Sequence, residues 1–312
     1  MTPSILGLHH VTATVDLAQP DLDFCLGALG LRLVKKTVNF DDPGTYHFYF
    51  GDAAGSPGSI LTFFPWEAAG TGRAGVGETQ ETAFRIPEAA VSYWTERLIG
   101  AGLAPDLPEK RFGETVIAFK DPDGMRIALV GVPGIEAEPA WAGGEVPEAH
   151  AIRGMHSVTL LLKEAGATAD ILTDVFGFEE AGREGTRIRY RAPGVAVGGI
   201  VDIREAGGFL SGRQGRGSVH HIAFRAADDA AQAEMVEKLT ARHGRHVTEQ
   251  RDRNYFRSVY FREPGGVLFE IATDDPGFAV DEAPEHLGEA LKLPAQYEAH
   301  RAEIERVLPQ VA

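Results

Sequence analysis

Four segments of the chain repeat one pattern of apolar and polar positions. Each begins with a short alternating strand, continues with an amphipathic helix and ends with several strands divided by glycine or proline turns. The opening strands read GLHHVTATV from Gly7, ETAFRI from Glu81, GMHSVTLLL from Gly154 and SVHHIAFR from Ser218. The pattern therefore predicts four modules with one helix each, at residues 20–29, 87–100, 165–176 and 228–243.

The four modules form two similar halves. The first and third modules share their opening motif, and the second aligns with the fourth. The turn-rich stretch 133–152 is typical of a linker between the halves. We therefore expect an N-terminal domain over residues 1–148 and a C-terminal domain over 149–280. A tail over 281–312, with a helix near 295–307, is expected to pack across the domains.

The composition excludes several classes of protein. The 312 residues carry a formal net charge of −15, which repels the phosphates of nucleic acids. No uninterrupted apolar stretch approaches about 20 residues, so no membrane span is predicted. The single cysteine, Cys25, cannot form a disulfide within the chain, and no signal peptide is visible. We therefore expect a cytoplasmic globular protein that binds neither nucleic acid nor a membrane.

Two residues capable of binding a metal differ between equivalent modules. His221 in the fourth module takes the position of Glu81 in the second, and Glu270 takes the position of Ala128. A purely architectural role would favour similar residues at both positions. Together with His10 on the first opening strand, they supply two imidazoles and one carboxylate. Such a set suits Fe(II) with open coordination positions, although Mn, Zn, Ni or Co can use the same ligands.

Each candidate histidine has a histidine beside it in the sequence. Adjacent residues of a strand point to opposite faces of the sheet, so only one member of each pair, His9 with His10 or His220 with His221, can face a shared metal. The alternation leaves open which member does so. The other member would surround the site if the strand is bulged or twisted. Thr12 shares the face of His10.

Several of these motifs together resemble a known family. LHHVT, GSVHHIAF, DRNYFRSVYFREPGGVLFE and ATDDPGF are similar to segments of the vicinal oxygen chelate superfamily, above all its ring-cleaving dioxygenases that act on hydroquinones. The resemblance extends over residues 5–278. It implies an α+β fold of four βαβββ modules in two tandem domains, with mixed, curved sheets that form metal-binding cups. It also implies Fe(II) and the opening of aromatic rings with O2.

The resemblance assigns roles to individual residues of this sequence. The metal ligands of the family correspond to His10, His221 and Glu270. The resemblance also implies that five side chains around the metal take part in catalysis. These are His9, Thr12, His220, Arg253 and Tyr260.

The chemistry of these surrounding side chains suggests what each contributes. The phenol of Tyr260 can donate a hydrogen bond to oxygen or receive a substrate proton. His220 is a candidate acid or base because an unperturbed imidazole titrates near pH ~6.5. Arg253 is always charged and can balance a phenolate. The hydroxyl of Thr12 can hold a ligand or a water molecule.

Three further residues have other interpretations. We match His156 in the third module to His10, but no similar triad accompanies it, so a vestigial site is expected there. We expect His47, in TYHFYF, to be structural or exposed. Asn254 stands where the resemblance implies a smaller residue, which alters the local shape of the pocket.

Three functions are compatible with these residues. The leading one is Fe(II)-dependent, extradiol-type cleavage of a hydroquinone or related dihydroxylated aromatic ring. With Zn or Ni, the same ligands would suit a glyoxalase-like isomerase or lyase, which needs no O2. A non-catalytic protein that binds quinones or drugs is the third function, although the buried carboxylate of Glu270 argues against it. The expected partners are a small aromatic substrate and O2, and a homo-oligomer is left open.

Overall fold

Two curved, eight-stranded mixed sheets make up the fold. A computed structural model describes residues 6–67 and 69–312, and the strands of both sheets lie within these ranges. The first five residues of the predicted N-terminal domain lie outside the described part, and so does the first residue of the family resemblance. The architecture confirms the predicted α+β class with mixed, curved sheets.

Each module contributes four strands in the described part of the chain, one before its helix and three after it. This is the predicted order of elements. The strands are β1 (Leu8–Val15), β2 (Arg32–Asn39), β3 (Asp42–Gly51), β4 (Ile60–Pro65), β5 (Glu78–Pro87), β6 (Glu109–Arg111), β7 (Glu114–Lys120), β8 (Arg126–Val132), β9 (Met155–Leu162), β10 (Glu179–Glu184), β11 (Arg187–Arg191), β12 (Ile200–Glu205), β13 (Ser218–Ala226), β14 (Arg251–Asp252), β15 (Arg257–Arg262) and β16 (Leu268–Thr273).

Each sheet combines modules from both halves of the chain. The first sheet has the order β14-β15-β16-β13-β1-β4-β3-β2, so it joins the fourth module to the first. The second has the order β10-β11-β12-β9-β5-β8-β7-β6 and joins the third module to the second. The opening strands pair antiparallel at both junctions, β1 with β13 and β5 with β9. Both sheets therefore cross the predicted boundary at residues 148 and 149, and the division into two domains there stays a prediction.

The helices lie close to their predicted positions. The first begins as a short α-helix and continues as a π-helix over Asp23–Ala28, which carries the buried side chains of Phe24 and Cys25. None of the helices in the described ranges has the length and apolarity needed to cross a membrane. The module helices are α1 (Ala18–Leu22), α2 (Val91–Gly100), α3 (Gly166–Asp174) and α4 (Asp229–Ala241).

The C-terminal tail packs along the first sheet. Its predicted helix is a 3-10 helix over Ala295–His300 followed by α5 (Arg301–Val307). The hydroxyl of Tyr297 donates a hydrogen bond of 2.8 Å to the carbonyl of Phe40, in the turn between β2 and β3. The fully buried Lys35 forms an ion pair of 2.6 Å with Asp281. The tail is therefore fastened to the two strands that form one wall of the first sheet's concave face.

Strand alternation separates a core face from a concave face in the first sheet. In β3, Tyr46, Phe48 and Phe50 belong to the main hydrophobic core. Tyr49 belongs instead to a smaller apolar cluster that also contains Tyr255 and residues of β13 and β16. Because side chains alternate between faces along a strand, His47 shares the face of Tyr49. The concave face is therefore the place where polar side chains of several modules can come together.

Candidate metal centre

Three central strands of the first sheet place one candidate ligand each on the concave face. Residue His10 lies on β1, His221 on β13 and Glu270 on β16. Ala223 of β13 lies opposite both His10 and Glu270 in the register, and His221 precedes it by two positions on the same face. The hydrogen-bonded register alone therefore brings the three side chains to one point.

The ligand atoms of these residues lie within contact distance of one another. The Nε2 atoms of His10 and His221 are 3.3 Å apart. Glu270 Oε2 is 2.8 Å from His221 Nε2 and 3.4 Å from His10 Nε2. All three residues are almost fully buried. Glu270 Oε2 has no hydrogen-bond partner among the described residues, which is unfavourable for a buried carboxylate. This donor set fits a divalent cation, which would satisfy that oxygen.

The protonation of the three side chains also favours a cation. Burial alone would raise the pKa of Glu270, but the imidazoles of His10 and His221 hold that pKa well below its usual range. Burial lowers the pKa of His221 despite the opposing influence of Glu270. The site therefore holds an ionised carboxylate and a neutral His221, which are the forms that bind metals.

A second histidine supports each of the two candidate histidine ligands. His9 Nδ1 lies 2.9 Å from His10 Nδ1, and His220 Nδ1 lies 2.8 Å from His221 Nδ1. Burial lowers the pKa of His9 well below its usual range and that of His220 to about 3, so both rings are neutral. Each contact contains one proton. When that proton is on the inner ring, the inner Nε2 keeps its lone pair for a metal.

Two hydroxyl groups near the cluster have hydrogen-bond partners within the protein. Ser258, which the sequence reasoning missed, donates to the second carboxylate oxygen of Glu270. Thr12 is fully buried, and its Oγ1 accepts a hydrogen bond of 2.9 Å from Thr62 Oγ1. Thr62 in turn lies 2.8 Å from Nε2 of His47. Thr12 therefore links the cluster strand β1 to the wall of the concave face.

Tyr260 and Arg253 lie together beside the cluster. The ring of Tyr260 packs edge-to-face against His221 with 5.7 Å between ring centres. The guanidinium of Arg253 lies 5.6 Å from the Tyr260 ring centre and donates to Asp41 at 3.1 Å. Burial and the charge of Glu270 raise the pKa of Tyr260, although Arg253 opposes this. The phenol is therefore protonated at neutral pH and available as a hydrogen-bond donor.

A cavity of about 290 Å³ opens beside the cluster. Its volume suits a single substituted aromatic ring. Its walls combine aromatic rings with a few polar groups, and the turn between β2 and β3 forms part of its rim. The lining residues are Asn39, Phe40, Asp41, Asp42, His47, Tyr49, Phe64, Trp66, His220, His221 and Arg253.

The sequence reasoning missed most of the cavity wall. His47 was expected to be structural or exposed, yet it is 9% exposed and lines the cavity. The alternation of TYHFYF could have indicated this, because His47 and Tyr49 share a face opposite Tyr46 and Phe48. Asn254 has a backbone φ of 63°, in the left-handed region that asparagine tolerates better than most residues. This backbone conformation explains why an asparagine is tolerated beside Arg253, at the position where the resemblance implies a smaller residue.

The equivalent point of the second sheet holds different residues. The register pairs Ser157 with Ala83 and Ala83 with Ala128, as His10 pairs with Ala223 and Ala223 with Glu270. Ser157, not His156, therefore occupies the position of His10. The expected match of His156 to His10 is wrong by one residue, because the shared glycine before each opening strand, rather than the histidine, fixes the alignment.

Ion pairs fill the second concave face. Glu81, at the position of His221, binds Arg111 at 2.5 Å and Arg126 at 2.9 Å. Asp202 binds Arg189 at 2.9 Å. His156 Nε2 lies 3.1 Å from Glu114. These contacts supply each carboxylate with a cationic partner from the protein itself.

Named proteins with similar sequences match the chain over almost its whole length. It is 47% identical over 308 residues to MhqO of Bacillus subtilis (strain 168), provisionally named a ring-cleaving dioxygenase, and the match covers 99% of this chain and 97% of MhqO. It is 35% identical over 309 residues to a chlorohydroquinone/hydroquinone 1,2-dioxygenase of Sphingobium indicum, with 97% and 95% covered.

Solved structures agree with this relationship. A crystal structure of a provisionally named dioxygenase from Bacillus subtilis has a TM-score of 0.94 and 45% identity, and the match covers 100% of this chain and 99% of that chain. Glyoxalase I from Zea mays shares the fold with a TM-score of 0.65 at 13% identity, with 86% and 92% covered. A family profile matches residues 154–271. The expected resemblance is confirmed, and the chain belongs to the Glyoxalase/Bleomycin resistance protein/Dioxygenase superfamily.

Proposed function

We propose that the protein is an Fe(II)-dependent, extradiol-type dioxygenase that opens the ring of a hydroquinone or a related dihydroxylated aromatic compound with O2. The observation that carries the proposal is the buried cluster of His10, His221 and Glu270 beside a cavity of about 290 Å³. The names of the full-length relatives support ring cleavage as the reaction class. The ligand types support iron, which two imidazoles and one carboxylate suit when positions remain open.

His10, His221 and Glu270 would hold the metal, with their supporting partners fixing their orientation. Bound Fe(II) would supply the redox chemistry that lets O2 react with an electron-rich ring. Two neutral imidazoles and one carboxylate leave a divalent ion with a net charge of +1. That charge would favour a phenolate over a neutral phenol. The buried surroundings strengthen this preference because water does not screen it.

The remaining side chains would manage charge and protons around the substrate. Arg253, which is always protonated, would stabilise negative charge at the cavity rim. Tyr260 would act as a general acid and then a general base: its hydroxyl would give a proton to a substrate oxygen and take one back from the substrate before the product leaves. His220 lines the cavity and would offer its Nε2–H group to an oxygen of the substrate. The rings of Phe64 and Trp66 would enclose the substrate and exclude water.

O2 consumption by protein loaded with Fe(II) without air tests the proposal. We expect one metal ion per chain and O2 uptake with substituted hydroquinones. His156→Asn is a matched control, because it removes the equivalent of His9 from the second sheet and leaves the cluster intact. It should retain metal and activity. Absence of O2 uptake across a broad panel of hydroquinones and catechols would overturn the proposal. Conversion of a hemithioacetal without O2 would instead indicate a glyoxalase-like enzyme.

A further inference from the structure

His47 is a buried histidine with a fixed orientation that the proposed chemistry leaves without a role. Its ring lies between those of Tyr49 and Phe64, with ring centres 4.1 Å and 4.2 Å away. It lines the same cavity as His220 and His221. A ring packed in this way keeps its nitrogens in one direction. The question is therefore which hydrogen bond the ring offers to a molecule in the cavity.

The hydrogen bonds of Thr62 fix the tautomer of this ring. Thr62 Oγ1 donates its single proton to Thr12 Oγ1 at 2.9 Å. Its contact of 2.8 Å with His47 Nε2 therefore requires an N–H group on His47. Burial lowers the pKa of His47 well below its usual range, so the ring carries one proton only. Nδ1 of His47 then carries a lone pair.

Nδ1 of His47 has no hydrogen-bond partner within residues 6–67 and 69–312, whereas the two aspartates of the cavity rim have theirs. Asp42 accepts a hydrogen bond of 2.8 Å from Thr45, and Asp41 accepts bonds from Arg251 and Arg253. The ring nitrogen of His47 that remains for a molecule in the cavity is therefore an acceptor.

We propose that Nδ1 of His47 accepts a hydrogen bond from the substrate hydroxyl that does not bind the metal. This inference rests on the proposed function and narrows its substrate class to rings with a second hydroxyl directed away from the metal. His220 and His47 would then serve opposite purposes on one wall, since the first offers an N–H group and the second a lone pair. A monophenol would leave that lone pair without a partner, which costs affinity.

Binding of two phenols of similar size tests this assignment. Hydroquinone carries a second hydroxyl, and 4-methylphenol replaces that hydroxyl by a methyl group. The dissociation constants of both are measured by calorimetry with Fe(II)-loaded protein in the absence of O2. We expect the wild-type protein to bind hydroquinone about tenfold more tightly, as one hydrogen bond of about 1.4 kcal/mol predicts. His47→Phe should abolish that preference with one metal ion per chain retained.

A second variant tests the tautomer argument and replaces the first if His47→Phe does not fold. Thr62→Val keeps the His47 ring but removes the group that fixes its proton on Nε2. The preference for hydroquinone should fall in this variant, which a purely packing role of His47 would not produce. The control His156→Asn should keep the wild-type preference.

The outcomes separate this inference from the proposed function. An unchanged preference in His47→Phe or Thr62→Val, or no preference in the wild-type protein, would overturn the role of His47. Because binding is measured without turnover, a lost preference in both variants supports that role even if the protein consumes no O2. Absence of O2 consumption would then count against the dioxygenase proposal alone.

Discussion

Single residues decide whether a concave face of this fold can bind a metal. Glu270 and Glu81 are both buried carboxylates on the inner strands of the two sheets. Glu81 is neutralised by Arg111 and Arg126, and these partners hold its pKa low against the opposing influence of burial. Glu270 has the imidazoles of His10 and His221 beside it instead, and one of its oxygens has no hydrogen-bond partner in the described chain. The first arrangement is complete, and the second requires a cation.

Replacing the carboxylate of the cluster tests this requirement. Glu270→Gln keeps the shape of the side chain but removes its charge. We expect the metal content of the purified protein to fall from one ion per chain to near zero, because two neutral imidazoles alone hold a divalent ion weakly. Metal analysis and circular dichroism measure content and fold. Full metal occupancy in a folded variant would contradict the assignment of Glu270 as a ligand.

Replacing the phenol tests the proton role of Tyr260. Tyr260→Phe should retain the metal and slow O2 uptake with a hydroquinone by about 10²-fold, a typical effect of losing a general acid or base. Steady-state O2 consumption at saturating substrate measures the change. Tyr190→Phe, in the second sheet, is the matched control and should leave the rate unchanged. An unaffected rate in Tyr260→Phe would remove this residue from the reaction.

The sequence could predict the three residues that form the buried cluster but not the side that each histidine faces. Alternation shows that His9 and His10 point to opposite faces, yet it does not say which face is concave. That information comes from the pairing of β1 with β13 and β4, which no local pattern contains. The alternation within β3 places His47 beside Tyr49, but its other neighbours, Thr62 and Phe64, come from β4, and no local pattern reveals that pairing.

Equivalent positions of the two halves carry different pairs of buried polar side chains. Asp121 follows β7, Glu263 follows β15, and each accepts backbone hydrogen bonds from residues two and four positions later. In the second half, Thr168 of α3 donates to Glu263. In the first half, α1 presents Asp21 instead, and both aspartates have an oxygen without a partner among the described residues. Burial raises the pKa of Asp21 well above its usual value, and the charge of Asp121 raises it further.

Removing one of these carboxyl groups should change how stability depends on pH. Burial raises the pKa of Asp121 from 3.8 to about 7, so the folded protein holds this proton more tightly than the unfolded chain. Its contribution to stability is complete below about pH 4, decreases as the pH rises and is lost above about pH 7. Asp121→Asn should therefore raise the free energy of unfolding above about pH 7, by up to about 4 kcal/mol.

Urea unfolding between about pH 4 and pH 8.5 measures this difference. The Asn variant and the parent should have similar stability at the acidic end and diverge towards the basic end. Glu263→Gln is the control, because Glu263 already has a donor in Thr168 and should show no such gain. Parallel pH profiles of Asp121→Asn and the parent would contradict a raised pKa of Asp121 in the folded protein.

The positions of the helices were easier to predict from the sequence than the register of the strands. The apolar periodicity placed the four module helices within a few residues, because each helix buries one face. It could not reveal the π-helical turn after α1 or the 3-10 turn before α5. Matching His156 to His10 by residue type was off by one position, and in a strand one position exchanges the two faces.

At the scale of the whole molecule, the first and last modules of the chain meet in one sheet. The first module pairs with the fourth and the second with the third, so each sheet depends on both halves. The repeats suggested two tandem halves, and only the contribution of the first and last modules to one cluster indicated the crossed pairing. No local sequence pattern predicts this pairing. It depends on which opening strands form hydrogen bonds with each other once all four modules are present.

This pairing predicts that the linker between the halves is dispensable once the protein is folded. Gly143 and Gly144 are exposed, and a protease site inserted between them allows the folded chain to be cut there. We expect the two fragments to elute together in gel filtration with metal content unchanged, because many strand-to-strand hydrogen bonds hold them. Separation of the fragments in native buffer would contradict this prediction, and an uncut sample of the same variant is the control.

The position of the cluster between the first and last modules also has a consequence for how the molecule is made. His10 and His221 are separated by 211 positions, and Glu270 comes later still. A ribosome therefore exposes His10 long before the other two side chains exist, and β1 has only β4 beside it during that time. Capture of an ion by all three residues must await nearly complete synthesis. Incorporation of a metal ion at this cluster would thus be a closing event of biogenesis, and nascent fragments without Glu270 could not hold an ion through all three residues.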